Sequence, residues 1–164
     1  IQIMGQVGCY VPAGEVEASI ADKISYQFYL PDKLQSGEGD FGVNLSRTRD
    51  LFYATTPRSL VIFNTLASGT TPHEGDEQAI SILEDFAAIE NNIVYVTHNY
   101  NVAEEFERRG LGQFLRTHFV DGKPTYEFVP GISKESHAAK IAEKIGFSPS
   151  DRRRHLIEKG YIKP

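Results

Sequence analysis

The fold of this chain is decided by residues 59–96, which read SLVIFNTLASGTTPHEGDEQAISILEDFAAIENNIVYV. Two short, continuous apolar runs, 60–63 and 93–96, are typical of strands that are buried on both faces of a sheet. Between them, apolar side chains recur every three or four residues over 74–90, which indicates an amphipathic helix. A strand, a loop, a long helix and a second strand make a βαβ unit, and this unit predicts a parallel sheet.

The flanking segments extend this pattern to the whole chain. Further strands are predicted over 20–29, 114–120 and 125–129, and further helices over 43–53, 102–109, 134–145 and 151–159. The last two strands flank Asp121-Gly122, a turn pair that is typical of a β-hairpin. The predicted fold class is therefore α/β, with a mostly parallel sheet flanked by helices and an antiparallel hairpin near the C-terminus.

Composition narrows the classes of protein that this chain can represent. It has 164 residues, 40% of them hydrophobic, which excludes a disordered chain and fits one domain with a sizeable core. No run approaches the roughly 18 consecutive apolar residues of a membrane span. The formal net charge of -5 argues against a nucleic-acid binder driven by bulk charge. The single cysteine, Cys9, excludes an intramolecular disulfide framework, and the five histidines have no short metal-ligand spacing that would predict zinc.

The first ten residues are mostly apolar and carry no N-cap signal. We therefore expect them to be the end of a helix that begins upstream, with Cys9 buried in that helix as inert core.

Polar residues follow both central strands, where Asn64-Thr65 succeeds the first and Thr97-His98 succeeds the second. Ligands of open parallel sheets bind beyond the carboxyl ends of the strands, so these positions are candidate site residues. The loop 36–40 is a third candidate, because its glycines leave backbone N–H groups free to approach an anion. Taken singly, each pattern also fits a structural role: a capped strand end, a structural histidine or a simple turn.

Together, these places resemble the ATPase domain of the MutS family of DNA mismatch-repair proteins. The likeness keeps the family's order along nearly the whole chain. It runs through residues 6–13 (QVGCYVPA), 32–41 (DKLQSGEGDF), 56–62 (TPRSLVI), 69–75 (GTTPHEG), 97–98 (TH) and 130–146. In the family, the second of these is the signature loop, the third leads into the Walker B strand, and the fifth holds the switch histidine.

The resemblance implies a fold, ligands and partners. The family domain is an ABC-like P-loop NTPase in which two subunits form composite sites for ATP and Mg²⁺. The implied partner is a second copy or a paralogous subunit, bound through the ATPase dimer interface. DNA would bind through domains outside these residues, and no membrane contact is implied. The implied location is cytoplasmic, associated with the nucleoid in a bacterium or nuclear in a eukaryote.

The same register implies roles for nine residues. Asn64 falls at the magnesium position, Thr65 at the position of the glutamate that orients water, and His98 at the switch position. The implied nucleotide-binding residues are Ser36, Gly37, Gly39 and Asp40 of the signature loop, which acts in trans, and Gly69 and Thr70 of the loop after Walker B.

The chain departs from the family pattern in both half-sites. No G-x-x-x-x-G-K-[ST] phosphate loop occurs in these residues. In the family it lies just upstream, so residues 1–164 are expected to be the C-terminal portion of one domain; the alternative is a natural protein that has lost this loop. Asn64-Thr65 replaces the family's Asp-Glu, leaving a poorer magnesium ligand and no proton acceptor. In the signature loop, Gly39 lacks the family's hydroxyl and Asp40 adds a negative charge.

The sequence therefore predicts a MutS-like domain that binds ATP in a dimer but hydrolyses it weakly or not at all. Residues 1–164 alone are expected neither to hydrolyse ATP nor to read DNA. The alternative is a catalytically dead pseudo-ATPase that serves as a dimerisation or protein-interaction module. An unrelated α/β enzyme would have to reproduce six matched segments by coincidence.

Overall fold

A computed structural model describes residues 1–28, 39–120, 122–133 and 138–163. The chain divides into two compact units, residues 1–112 and residues 113–164. The first unit contains α1 (Gln2–Gln6), β1 (Ile24–Phe28), α2 (Asp40–Ala54), β2 (Leu60–Asn64), α3 (Pro72–Ala88), β3 (Asn92–Val96) and α4 (Tyr100–Arg108). The second contains β4 (Leu115–Val120), β5 (Lys123–Pro130), α5 (Ala138–Lys144) and α6 (Pro149–Glu158). Within the described ranges, no helix combines the length and apolarity needed to cross a bilayer.

The first unit is built on a three-stranded parallel sheet in the order β1-β2-β3. Asn64, the last residue of β2, is in register with Phe28 on one side and Val96 on the other. The three strands therefore end at the same level, and the loops that follow them leave from one edge. This arrangement confirms the parallel sheet that the βαβ pattern predicts.

One face of this sheet carries the core. Val61 and Phe63 of β2 are fully buried, and Phe86 of α3 packs edge-to-face on Phe63 with ring centroids 5.1 Å apart. Phe52 of α2 makes the same contact with Phe86, also at 5.1 Å. The buried apolar cluster comprises Val61, Phe63, Leu66, Ala79, Leu83, Phe86 and Val102. The helical repeat of apolar residues in α3 thus serves to cover this face.

The opposite face corrects an expectation, because the apolar runs predict strands that are buried on both sides. Tyr26 and Phe28 of β1 and Val94 and Val96 of β3 are exposed, with 54%, 42%, 46% and 51% of their surface accessible. Side chains alternate along a strand, and the core helices α2 and α3 contact the face that holds Phe63. The prediction of burial on both faces is therefore wrong for β3, whereas Leu60 and Ile62 on the same face of β2 are half-buried.

The N-terminal segment differs from expectation in one respect. α1 is a short helix whose Gln6 side chain donates to the Ala21 carbonyl at 3.0 Å and accepts from the Ala21 amide at 2.9 Å. Cys9 lies beyond the helix and is exposed. The prediction of a buried cysteine in a helix is wrong, because Gly8 at φ 76° takes the chain out of helical geometry.

The second unit contains the predicted hairpin. β4 and β5 are antiparallel, and Gly122 has the positive φ of 75° that such a turn requires; position 121 lies outside the described residues. Downstream, α6 begins with a capping box in which Ser148 and Asp151 each accept a backbone N–H of the other. The predicted antiparallel hairpin and the two C-terminal helices are confirmed, although 134–137, the start of the first predicted helix, are also outside the described residues.

Candidate functional site

The candidate residues Thr65 and His98 lie just after the ends of β2 and β3, which are neighbouring strands of the sheet. The Thr65 amide donates to the Val96 carbonyl at 2.9 Å, which continues the ladder between β2 and β3 for one residue beyond β2. Thr97 and His98 follow β3 directly. The adjacency that the sequence predicts for these two ends is confirmed.

A cavity of about 460 Å³ opens at this edge and is lined by Tyr26, Phe28, Asn64 and Thr65. It is a shallow depression that is open to solvent. Asn64 is exposed, and the rings of Tyr26 and Phe28 stack with centroids 5.3 Å apart. The sequence reasoning missed the two aromatic residues, although the alternation ISYQF over 24–28 places both on one face of β1 and was the signal available.

The backbone turns sharply where β2 ends. Thr65 has a φ of 63° and Ala67 a φ of 53°, so both lie in the left-handed region that favours glycine. For a β-branched residue such as Thr65 this conformation is a genuine outlier, because the branched Cβ crowds the backbone. Such strain persists where surrounding structure imposes it, and it clusters at functional sites.

Two candidate segments that are far apart in sequence meet at Gly69. Its φ is +97°, and a Cβ built there would lie 2.8 Å from the backbone nitrogen of Phe41 and 3.1 Å from the Cβ of Asp40. Gly39 is the N-cap of α2, and Asp40 lies in the first turn, where the helix dipole favours a negative charge. The structure therefore brings Gly69 against Asp40 and Phe41 at the start of α2. The candidates Ser36 and Gly37 lie outside the described residues.

Thr70 is engaged by α3. The hydroxyls of Thr70 and Thr71 donate to the carboxylate of Glu74 at 2.7 and 2.9 Å. These hydrogen bonds lower the pKa of Glu74, and the bond from Thr70 has the larger effect. Gly75 allows α3 to approach the same loop, since a Cβ there would lie 3.1 Å from the Ala67 carbonyl oxygen. The loop after β2 is thus held on the first turn of α3.

The turn after β3, which carries His98, is held by side chains on both sides of that residue. The Asn99 amide donates to the Thr97 hydroxyl at 2.9 Å, and His98 between them is exposed. Asp76 of α3 accepts hydrogen bonds from the side-chain amides of Asn99 and Asn101. The sequence reasoning missed Asp76, although an acid on the buried face of α3, in register with Ala79 and the other core residues, was a visible signal.

The donor set at the strand ends fits magnesium only in a limited way. Asn64 offers a neutral amide oxygen and Thr65 a hydroxyl, and among the residues the structure describes no group of three or more His, Cys, Asp or Glu could hold a metal. Mg²⁺ usually keeps several waters and is bound through one or two carboxylates plus the phosphates of a substrate. These residues therefore fit an ion held mainly by a phosphorylated ligand and do not form a protein cage.

Comparison with known proteins decides the family. Residues 1–151 match the family model described as MutS domain V. The chain belongs to the MutS family. It is 36% identical over 108 residues to the DNA mismatch repair protein MSH3 of Cryptococcus neoformans, an alignment that covers 66% of this chain and 9% of that protein. It is 32% identical over 152 residues to the MSH3 of Coccidioides immitis, covering 87% of this chain and 14% of that protein.

Bacterial relatives are similar to the same degree. The DNA mismatch repair protein MutS of Caldicellulosiruptor bescii is 34% identical over 111 residues, which cover 66% of this chain and 13% of that protein. The chain thus spans only a small part of the length of the relatives that it matches. The family membership, predicted from six motif segments, is confirmed.

Proposed function

We propose that this MutS-family chain is part of a P-loop NTPase domain that acts in DNA mismatch repair. It binds ATP with magnesium at a composite site between two subunits and hydrolyses it weakly or not at all. The partner is a second copy or a paralogous subunit, and DNA contacts lie in other domains of the protein. The relatives are named as DNA mismatch repair proteins, which supports the repair role.

The observation that carries the proposal is the common edge of the parallel sheet. Thr65 and His98 leave adjacent strands at this edge, and a cavity of about 460 Å³ borders Asn64 and Thr65. Parallel sheets bind ligands at such edges because the loops there are free to vary while the strands remain rigid. This common edge supports assigning the magnesium, water and terminal-phosphate positions of the family to Asn64, Thr65 and His98.

The chain's own residues perform limited chemistry at this edge. The nucleotide supplies a labile phosphoanhydride and the oxygens that hold most of the magnesium coordination shell. Asn64 can orient such an ion through its amide oxygen, but it contributes no charge. Thr65 can donate a hydrogen bond to water but cannot take its proton, and the loss of a positioned base typically slows such a step by about 10²–10⁴-fold.

The signature loop, which forms the other half-site, is also expected to bind phosphate more weakly than its family counterpart. Asp40 lies at the start of α2, where its negative charge suits the helix dipole. At roughly 4 Å from a phosphate oxygen and an effective dielectric of about 20, that charge would be repelled by about 4 kcal/mol. The signature loop can thus close on a partner's nucleotide only with a weaker hold than its family counterpart.

Nucleotide titration of the natural full-length protein tests this function. We expect calorimetry with ATP and Mg²⁺ to show binding, and a phosphate-release assay to show negligible turnover. The double variant Asn64→Asp/Thr65→Glu should bind with similar affinity and gain turnover, since it restores both carboxylates. Single Asn64→Asp is the matched control, because it restores a magnesium ligand without the base. Failure of the full-length protein to bind ATP in the presence of its partner would contradict the proposal.

The second candidate function is a pseudo-ATPase that serves only as a dimerisation or interaction module. The neutral pair Asn64-Thr65 favours it, because no carboxylate follows β2 directly. Sedimentation of the full-length protein separates the two functions: a dimer that forms equally with and without nucleotide, and that binds no ATP, supports the module alone.

A further inference from the structure

Asp76 is a buried acid in the second turn of α3 that none of the proposed chemistry uses. It is 9% exposed, and its two carboxylate oxygens accept from two different side chains, Oδ1 from the amide of Asn99 and Oδ2 from the amide of Asn101 at 2.9 Å. Both asparagines lie just after His98, at the start of α4. One carboxylate therefore fastens the turn after β3 to α3.

The position of Asp76 on α3 is unusual for an acid. It shares the buried face with Ala79, Leu83 and Phe86, at spacings of three and four residues. Burying a carboxylate costs free energy unless hydrogen bonds replace its water. The two amides supply those hydrogen bonds, and a bond to a charged acceptor is about twice as strong as one between neutral groups. The contact is therefore a strong and directional constraint on the turn.

The same helix also holds the loop after β2. Glu74 accepts hydrogen bonds from the hydroxyls of Thr70 and Thr71, and a Cβ at Gly75 would lie 3.1 Å from the Ala67 carbonyl oxygen. Residues 74–76 of α3 thus contact both loops of the candidate site, one that follows Thr65 and one that carries His98. The relative position of these loops depends on one helical turn.

We propose that Asp76 is a positioning residue that holds His98 in place at the nucleotide edge through Asn99 and Asn101. This inference rests on the proposed function, because it assigns the clamp to the discrimination of a terminal phosphate. With the clamp intact, the backbone of the turn that carries His98 is ordered before a ligand arrives and does not have to be fixed on binding. Without it, the affinity for a triphosphate falls while the affinity for a diphosphate, which lacks the terminal phosphate, does not.

The test uses the natural full-length protein and its Asp76→Asn variant. In hydrogen exchange followed by mass spectrometry, we expect the segment 97–108 to exchange on the order of tenfold faster in the variant, the effect of losing one charge-assisted hydrogen bond. The segment 60–64 of the core should exchange at its original rate. Titration with ATP and with ADP should show that the ratio of the two affinities falls severalfold toward ADP.

A reciprocal variant separates positioning from general stability. In Asp76→Asn/Asn99→Asp, the amide introduced at position 76 can donate to the new carboxylate and still accept from Asn101. We expect this variant to recover both the slow exchange of 97–108 and the ratio of ATP to ADP affinity. The matched control is Asp85→Asn, which makes the same substitution at an exposed position of α3 and should change neither quantity.

Two results would overturn the positioning role. One is faster exchange that spreads equally over 60–64 and 97–108, which would make Asp76 a general stability residue. The other is a local rise in exchange with an unchanged ratio of ATP to ADP affinity. If the wild-type protein binds neither nucleotide, the proposed function fails, whereas local exchange that is rescued by the reciprocal variant would still support the clamp on the turn.

Discussion

At Thr65, a β-branched side chain stands at a backbone conformation that such side chains rarely adopt. This residue stands where the family resemblance expects the glutamate that orients water, and it has a φ of 63°. A branched Cβ is disfavoured there, so the turn must be imposed by its surroundings, namely the Thr65 bond to Val96 and the packing of Leu66 in the core. The strained backbone at Thr65 therefore lowers the stability of the protein while it sets the position of the loop.

We expect Thr65→Asn to stabilise the protein by about 1 kcal/mol, since asparagine tolerates the left-handed region far better than threonine. The measurement is the free energy of unfolding in urea. Thr65→Val is the matched control, because it keeps the branched Cβ and should give no gain. An equal gain in both variants would mean that the hydroxyl, and not the backbone, determines the stability here.

Among the elements, the contact between the loop after β2 and the start of α2 depends on one missing side chain. Gly69→Ala places a Cβ 2.8 Å from the Phe41 nitrogen, and backbone cannot move aside as a flexible side chain can. Its φ of +97° adds strain of about 1–2 kcal/mol for any residue with a Cβ. We expect the substitution to lower the free energy of unfolding by more than this backbone strain alone.

Gly110→Ala is the control for that prediction. Gly110 has a φ of +68° and nothing within 4 Å of a built Cβ, so it carries the backbone strain without the contact. The difference between the two variants, measured by urea unfolding, isolates the steric contact with α2. Equal losses in both would show that the loop moves away from Phe41 at no cost.

The ion pairs at the C-terminal end of α4 should make the stability of the protein depend on pH. Hydrogen bonds from Arg108 and then Arg109 lower the pKa of Glu105 to about 2, from an ordinary value of 4.5. Because the folded pKa is depressed, the stabilisation by Glu105 is present above pH 4.5 and is lost as the pH falls toward 2. Glu105→Gln should therefore be less stable than the wild type at pH 6, with the difference shrinking by pH 3.

Urea unfolding of both proteins across that range gives the measurement, and Glu107→Gln on the same helix is the control. Glu107 is exposed, so its substitution should leave the pH dependence unchanged. A constant difference between wild type and Glu105→Gln from pH 6 to pH 3 would contradict the assignment.

At the scale of the whole molecule, the first unit depends on one aromatic cluster between the sheet and its helices. Phe86 is fully buried and contacts Phe52 and Phe63 edge-to-face. We expect Phe86→Ala to lower the free energy of unfolding by about 3–5 kcal/mol, the usual cost of removing a buried ring. The measurement is the free energy of unfolding in urea. Phe128→Ala in β5, where the residue is 71% exposed, is the control and should lower that free energy far less.

Much of the fold was predictable because local patterns and tertiary structure agree. The apolar periodicity of α3 and the compact runs of β2 and β3 predict the βαβ unit, and Asp121-Gly122 predicts the hairpin. Helix starts were predicted less well: α2 begins at Asp40, three residues before the predicted 43, and α3 at Pro72, two before 74. Neither N-cap makes a side-chain hydrogen bond, so the usual capping signal was weak there.

The site was predictable only in part. The apolar strands are recognisable in the sequence, and they are followed by Asn64, Thr65 and His98. The sequence alone therefore predicts that these residues lie at one edge of the sheet. Tyr26 and Phe28 were missed because a strand pattern does not say which face remains open. Asp76 was missed because its partners, Asn99 and Asn101, are more than twenty residues away and carry no motif.

The sequence by itself determined the class of fold, the family and the neutral character of the pair after β2, because apolar periodicity, motif order and side-chain chemistry are local properties. Only the tertiary structure decided which contacts join the loops. It brought Gly69 to within contact of Asp40, opened a cavity beside Tyr26 and Phe28, and put the carboxylate of Asp76 between two asparagines. Those contacts depend on how helices pack on a sheet, and packing is set by the shapes of residues distant in sequence.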